Sequence, residues 1–202
     1  MGLSPAQFRQ LEARLAKPRR AASPALPAAE DRPAARHAVV LGLDPSLRGT
    51  GFGVVRAERG RTRAVEFGHV ACPAGWSRTR CLVAIAARLR EVIRAHAPTA
   101  CAIEGLFFAQ NLQTALIMGE ARGVALLAAA EAGLEICEIA PRKMKLAIVG
   151  FGGAGKDAVG KMVQRLLGLP EPPQADAADA LALALTFVQE SGRPALSKPK
   201  RL

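Results

Sequence analysis

The chain has 202 residues, 50% of them hydrophobic and 22% charged, a composition typical of a globular protein and unlike that of a disordered or collagen-like chain. Its uninterrupted apolar runs are far shorter than the ~20 residues that cross a bilayer, so we expect no membrane partner. The 28 Lys and Arg residues outnumber the 17 Asp and Glu residues, and the formal net charge of +11 favours a polyanionic partner, nucleic acid first.

The positive charge is concentrated at the two ends of the chain. Residues 1–36 contain seven basic and three acidic residues among many Ala and Pro, and residues 193–202 contain four basic residues and no acid. We therefore predict a basic Ala/Pro/Arg-rich extension over 1–36 that is disordered, one folded domain over 37–192, and a basic C-terminal tail over 193–202. The basic ends should make any binding of nucleic acid depend steeply on salt.

The folded domain begins with three predicted strands joined by turns, at 38–43, 51–56 and 62–72. A helix at 77–96, a strand at 100–106, a helix at 111–132 and a strand at 134–139 follow. Three helices complete the domain, at about 142–149, 156–167 and 174–189. This order predicts an α/β domain with a mixed five-stranded sheet and helices on both faces.

Cysteine and histidine give no sign of a metal site or of covalent catalysis. The four cysteines, at positions 72, 81, 101 and 137, lack the paired spacing of zinc ligands, so we expect buried free thiols in a reducing cytosol. The three histidines, at positions 37, 69 and 96, are scattered and have no nucleophile at a suggestive spacing. We expect the histidines to be structural or to face solvent.

Four acidic residues occupy places where a charge is costly. Asp44 and Glu104 each end a predicted apolar strand, and Asp176 and Asp179 are the only charges in the stretch 175–188. A spacing of three places both aspartates on one face of a helix. Each acid alone has a structural explanation, such as a turn cap, an arginine partner or a favourable helix dipole.

Together, the four acids predict a metal centre. If they converge at ~4 Å, each like-charge pair costs about 4 kcal/mol at an effective dielectric near 20. Several such pairs would match the ~5 to 15 kcal/mol stability of a whole domain, so cations or protons must neutralise the cluster. Carboxylate oxygens select hard ions such as Mg²⁺ or Mn²⁺. Two such ions ~3.5 to 4 Å apart are typical of in-line displacement at phosphorus.

Four segments of the chain carry distinctive motifs: LGLDPSLRGTGFGVV, AIEGLFFAQN, GEARGVA and PQADAADALA. In their order and spacing, over about residues 38–190, they resemble the RuvC family of Holliday-junction resolvases. The resemblance implies an RNase H-like fold. It also implies that the metal-binding carboxylates of the family correspond to Asp44, Glu104, Asp176 and Asp179.

The resemblance further implies an activity. The family resolves four-way (Holliday) junctions in DNA recombination and repair with paired symmetric nicks that leave 5′-phosphate and 3′-hydroxyl ends. We accordingly expect a Mg²⁺-dependent endonuclease with two ions per active site, in which Mn²⁺ can substitute. The expected partners are the DNA junction, a second copy of the chain in a homodimer, and the branch-migration proteins RuvA and RuvB. The expected location is the bacterial cytoplasm, at the nucleoid, and an organelle address in the N-terminal extension stays open.

Three further positions match functional residues of the family. Lys145 and Lys156 match two lysines that face the scissile region, and Phe107 matches an aromatic residue that contacts bases. We expect Phe107 to stack on unpaired bases near the junction centre. The glycine-rich loop 150–155 and Lys156 suit a DNA phosphate, since amides at a helix start attract anions. Ser46 stands where the family usually has glycine.

The residues also leave alternatives open. One is an RNase H-like nuclease that acts on RNA or duplex DNA. Another is an actin-like nucleotide-binding phosphotransferase, because Asp44 followed by Gly49, Gly51 and Gly53 suits a phosphate site between two strands; the chain is short for the second domain that such enzymes need. A junction binder without activity is a third. The loop before Lys156 also begins like a nucleotide P-loop, but Asp157 replaces its Ser or Thr.

The helix at 111–132 is a candidate dimer interface, because it is apolar over much of its circumference. Arg122 lies within it. The sequence leaves open whether Arg122 contacts DNA or forms an ion pair near Glu120 at the dimer surface.

Overall fold

The computed structural model describes residues 38–58, 60–105, 112–191 and 200–202. The predicted extension and residues 193–199 of the predicted tail lie outside these ranges, so the assignment of both segments stays a prediction. Phe107 also lies outside the described residues.

All ten predicted elements form, with bounds close to those expected. The strands are β1 (Val39–Asp44), β2 (Gly49–Glu58), β3 (Arg61–Ala71), β4 (Ala100–Glu104) and β5 (Glu135–Ile139), to which a two-residue strand, β6 (Lys200–Arg201), is added. The helices are α1 (Arg78–His96), α2 (Leu112–Glu131), α3 (Pro141–Val149), α4 (Lys156–Leu167) and α5 (Ala175–Ser191).

The strands form one mixed sheet in the order β3-β2-β1-β4-β5-β6. The first three strands are an antiparallel meander, as predicted. Strand β4 pairs parallel with β1, and β5 pairs parallel with β4. Strand β6 is antiparallel to β5 and was not predicted. The predicted mixed five-stranded sheet is confirmed, and β6 extends it at one edge.

Helices cover both faces of the sheet, as predicted. Side chains alternate along β1, so that Leu41 and Leu43 pack on one face with α1 and α2, and Val40 packs on the other with α3, α4 and α5. Strand β4 alternates in the same way, with Cys101 and Ile103 on the first face. All four cysteines are free and buried, which confirms the expected thiols.

Helix α5 approaches the sheet unusually closely. A Cβ atom built on Gly42 of β1 would lie 1.9 Å from the carbonyl oxygen of Ala180, and one built on Gly51 of β2 would lie 2.0 Å from that of Asp176. Only glycine fits at such distances. The glycines of β1 and β2 therefore fix the position of α5, including its first turn, relative to the central strands.

Helix α2 is long and apolar enough to span a membrane by length and composition alone. A helix that packs inside a globular domain passes the same test. Helix α2 packs on α1, and its inner side buries Ala121, Ala125, Ala129 and the charged Arg122. Helix α2 therefore has a packing side within this domain.

Candidate active site

Two of the four predicted acids stand at the ends of neighbouring strands. Strands β1 and β4 run parallel with Leu43 opposite Ile103, so Asp44 and Glu104 follow this pair at the same edge of the sheet. A hydrogen bond between their side chains raises the pKa of Asp44 and lowers that of Glu104. Burial, the neighbouring Glu104 and the charge of Asp179 raise the pKa of Asp44 to about 8.

The N-terminal part of α5 brings the other two acids to the same edge. Asp179 is 8% exposed, and burial raises the pKa of its carboxyl group. The Asp176 backbone lies directly over Gly51, and a Cβ on Gly49 would stand 2.7 Å from Asp176 Oδ2. Helix α5 thus holds its acids against the end of the β1–β2 hairpin, where Asp44 ends β1.

Lys156 and Lys145 lie close enough to act on these acids. Lys156 Nζ is 3.5 Å from Asp179 Oδ2 and 4.0 Å from Asp176 Oδ1. Burial opposes the charge of Lys156, but the charges of Asp179, Asp44 and Asp176 outweigh it and raise the pKa of the ammonium. Burial also raises the pKa of Glu104, while the hydrogen bond from Asp44 and the charges of Lys156 and Lys145 oppose this rise.

The glycine-rich loop positions Lys156. Helix α3 is capped by Gly150, whose φ of 82° is the left-handed conformation that glycine adopts without strain, and α4 begins after Gly155. Lys156 is therefore the first residue of α4 and extends toward the acids. Its side chain is still 63% exposed, which leaves it accessible to a ligand.

The residues fit a hard divalent cation, although they do not form a finished coordination shell. Within the described ranges, no group of three or more His, Cys, Asp and Glu side chains is arranged to hold a metal ion as it stands. The proton on Asp44 and the Lys156 ammonium balance the acids instead. Asp44, Glu104, Asp176 and Asp179 offer only oxygen donors, which suits Mg²⁺ or Mn²⁺.

The turn after Asp44 is closed by hydroxyl groups. The Ser46 hydroxyl accepts a hydrogen bond from the Gly49 N–H at 3.0 Å, and the Thr50 hydroxyl donates to the Ser46 carbonyl oxygen at 2.5 Å. Ser46 and Thr50 thus close a compact turn directly after Asp44.

The space beside the glycines of this hairpin is filled, contrary to one alternative considered from the sequence. An actin-like phosphate site would need open backbone along Gly49, Gly51 and Gly53. In the structure α5 packs directly on all three glycines. The glycines of this hairpin form a packing surface for α5 and do not form an open phosphate site.

Arg122, whose role the sequence left open, points into the domain. It is 6% exposed, its Nη1 donates to the carbonyl oxygen of Glu104, and its Nη2 donates to Glu138 Oε2 at 2.6 Å. Glu138 is not among the residues that the sequence predicts for the site. The signal was a second acid inside the five-residue strand EICEI, where an acid that is partly covered needs a cationic partner.

Comparison with known proteins identifies close relatives. The family described as "Crossover junction endodeoxyribonuclease RuvC" matches residues 40–187. The protein of that name from Rubrobacter xylanophilus is 44% identical over 168 residues, which cover 81% of this chain and 94% of the relative. The one from Moorella thermoacetica is 47% identical over 148 residues, which cover 73% and 89%.

The solved structures agree with this match. A structure described as T. thermophilus RuvC in complex with Holliday junction substrate superposes with a TM-score of 0.75 at 34% identity, over 82% of this chain and 100% of that chain. The predicted RNase H-like architecture is thereby confirmed.

Proposed function

Because the chain belongs to the RuvC family of crossover junction endodeoxyribonucleases, we propose that it resolves four-way (Holliday) DNA junctions by paired symmetric nicks during recombination and repair. The observation that carries this proposal is the meeting of Asp44, Glu104 and Asp179 with Lys156 at one edge of the sheet. These residues come from four separate elements. Hydrolysis of the phosphodiester would leave 5′-phosphate and 3′-hydroxyl ends.

The acids are proposed to hold two Mg²⁺ ions, for which Mn²⁺ can substitute. We assign the ligand oxygens to Asp44, Glu104, Asp176 and Asp179. Divalent ions bound there would supply Lewis acidity, which activates water and offsets the charge that develops on the phosphate. Asp44 would have to release the proton that it donates to Glu104, because the ionised carboxylate is the stronger ligand.

The lysines are proposed to bind the scissile phosphate. Lys156 already lies beside Asp179 with most of its side chain exposed, so its ammonium can contact a phosphate without leaving the site. The charge of Lys145 lowers the pKa of both Glu104 and Asp179, which supports its assignment to the same site. Phe107, three residues after Glu104 in the chain, is proposed to stack on unpaired bases.

A homodimer is proposed because paired nicks in opposing strands need two active sites related by a twofold axis. Helix α2 supports this proposal with three exposed leucines, Leu112, Leu116 and Leu127, which are 76%, 60% and 53% exposed. Sedimentation at micromolar concentration should give a dimer, and Leu116→Glu should shift it toward the monomer. A wild-type monomer under these conditions would contradict the proposal.

A substrate panel tests the activity. Labelled four-way junction, linear duplex, RNA–DNA hybrid and ATP are each incubated with Mg²⁺ or EDTA. We expect cleavage of the junction alone, and only with Mg²⁺. Preferred cleavage of the hybrid or the duplex would favour the alternative of an RNase H-like nuclease with another substrate. Co-sedimentation with RuvA and RuvB tests the two proposed protein partners.

Two variants test the site. Asp44→Asn and Glu104→Gln should abolish cleavage and leave junction binding in EDTA intact, since each removes an anionic ligand and keeps the side-chain shape. The matched control is Asp157→Asn, which changes an exposed acid beside Lys156 that we do not assign to the ion site. Normal nicking by either site variant would remove that residue from the mechanism.

A further inference from the structure

Arg122 is a buried cation with two well-defined partners. It lies on the inner side of α2, where its side chain is 7% exposed and that of Glu138 is 25% exposed. Burying a guanidinium is costly unless it is paired and hydrogen-bonded. Glu138 supplies the opposite charge, and the carbonyl oxygen of Glu104 supplies a second acceptor.

The peptide group that follows Glu104 is held at both of its polar ends. Its carbonyl oxygen accepts the hydrogen bond from Arg122, and its N–H, which belongs to Gly105, donates to the carbonyl oxygen of Ile139 at 2.8 Å. Because a peptide group is planar, contacts at both ends fix its orientation. That orientation sets the backbone direction at Glu104, from which the carboxylate extends.

The packing around this peptide leaves little freedom. A Cβ atom on Gly105 would stand 3.3 Å from Cγ of Glu138, so the partner of Arg122 also packs against the chain just after Glu104. The register of β4 and β5 places Ile103 opposite Glu138. Helix α2 and strands β4 and β5 are therefore joined at the point where Glu104 leaves the sheet.

We propose that Arg122, held by Glu138, is a positioning residue that orients Glu104 for a divalent ion. The proposal rests on the proposed function, in which Glu104 is an ion ligand. Arg122 acts through the backbone of Glu104 and contacts neither ion nor DNA. Partners that orient metal ligands commonly change metal affinity or activity by about 10- to 100-fold when they are removed.

The competing explanation is an ion pair that only stabilises the fold. The two explanations separate because a buried pair can often be replaced by apolar residues of similar size without loss of stability. Arg122→Met removes the hydrogen bond to Glu104 but leaves Glu138 without its partner. The double variant Arg122→Met/Glu138→Met removes both charges together, so no buried charge is left without a partner.

The experiment measures four quantities on the full chain: the melting temperature, the Mn²⁺ affinity by calorimetry without DNA, the junction affinity in EDTA, and kcat against Mg²⁺ concentration. Arg90→Met is the matched control. Arg90 forms a two-contact ion pair with Glu131 between α1 and α2, at 2.8 and 3.1 Å, but on the exposed surface. Its loss should change none of the four quantities appreciably.

We expect the double variant to melt near the wild-type temperature, to bind the junction normally, and to lose about 10- to 100-fold in Mn²⁺ affinity or kcat. Arg122→Lys, which can keep one donor, should recover part of that loss. A double variant with wild-type Mn²⁺ affinity and kcat would overturn the proposal. If neither methionine variant folds, Glu138→Ala is decisive: it removes the acceptor that holds Arg122 Nη2, and unchanged Mn²⁺ affinity and kcat would overturn the proposal equally.

Glu104→Gln, measured in parallel, separates this inference from the proposed function. If Glu104→Gln cleaves normally, the proposed function fails at this residue. If Glu104→Gln is inactive while the Arg122 variants behave like Arg90→Met, only the positioning role fails.

Discussion

Gly51 offers a direct test of how the fold positions the site. It lies on β2, opposite Asp44 of β1, and the backbone of Asp176 rests on its Cα. Gly51→Ala adds one methyl group at this contact. The substitution leaves every proposed ligand and lysine in the chain, so any loss of activity must come from geometry.

The size of the effect follows from the contact distances. The new Cβ would lie 2.0 Å from the carbonyl oxygen of Asp176 and 2.5 Å from its carbonyl carbon, whereas real Cβ atoms essentially never approach other atoms closer than 3.0 Å. Both partners are backbone atoms, so the first turn of α5 must move by about 1 Å. Overpacking of this kind costs roughly 1 to 3 kcal/mol, and a 1 Å displacement of catalytic groups costs on the order of 100-fold in rate.

The assay is junction cleavage in Mg²⁺ together with the free energy of unfolding from urea titration. We expect Gly51→Ala to remain folded, to bind the junction in EDTA, and to cleave about 100-fold more slowly. Gly75→Ala is the matched control, since a Cβ on Gly75 would meet nothing within 4 Å. Cleavage by Gly51→Ala within a factor of about two of the control would refute the claim that the glycine contact positions α5.

Three other predictions concern stability. The hydrogen bond from His96 and the charge of Arg88 lower the pKa of Glu66 below its usual 4.5, although burial opposes them; the resulting stabilisation is therefore complete above about pH 4.5 and is lost as pH falls through the lowered pKa. Glu66→Gln should reduce the loss of unfolding free energy at acid pH, measured by urea titration. An unchanged loss would contradict the role given to Glu66. Gly160→Ala in α4 would meet a single atom at 4.0 Å and should raise stability by about 0.5 to 1 kcal/mol, so an unchanged or lower melting temperature would speak against it. Leu89→Ala, at a fully buried position of α1, should cost about 2 to 5 kcal/mol in the same titration, and a loss below 1 kcal/mol would show that the site collapses around the smaller side chain.

The elements could be predicted because each carries its own local pattern. Helix α1, for example, has buried Cys81, Ile85 and Leu89 at helical spacing, and its predicted stop before Pro98 agrees with the left-handed Ala97. The sequence also shows that Asp44 and Glu104 each come at the carboxyl end of an apolar strand. Local order is enough for these features, since they depend on residues close in the chain.

The remaining features depend on residues far apart in the chain. Strand β6 has two residues, too few for a recognisable pattern, and it forms only because β5 offers an open edge about 60 residues earlier. The side chain of Arg201 contacts Glu135 there. The pairing of Arg122 with Glu138 likewise depends on how α2 packs over the sheet. The hydrophobic pattern predicts that α2 has a buried side. It does not predict which charged residue lies on that side.

The glycines of the hairpin show the same limit. In the sequence, Gly49, Gly51 and Gly53 suggest open space for a phosphate, and the alternative of an actin-like site followed from that interpretation. The structure shows that α5 takes up this space. Small residues indicate that something approaches closely, but the sequence alone does not identify whether that is a ligand or another part of the chain.

Lys156 Nζ stands 3.5 Å from Asp179 Oδ2, so the fold itself supplies a cation to its cluster of acids. Small zinc domains, in contrast, fold only around their metal. A chelator should therefore silence this protein reversibly without melting it.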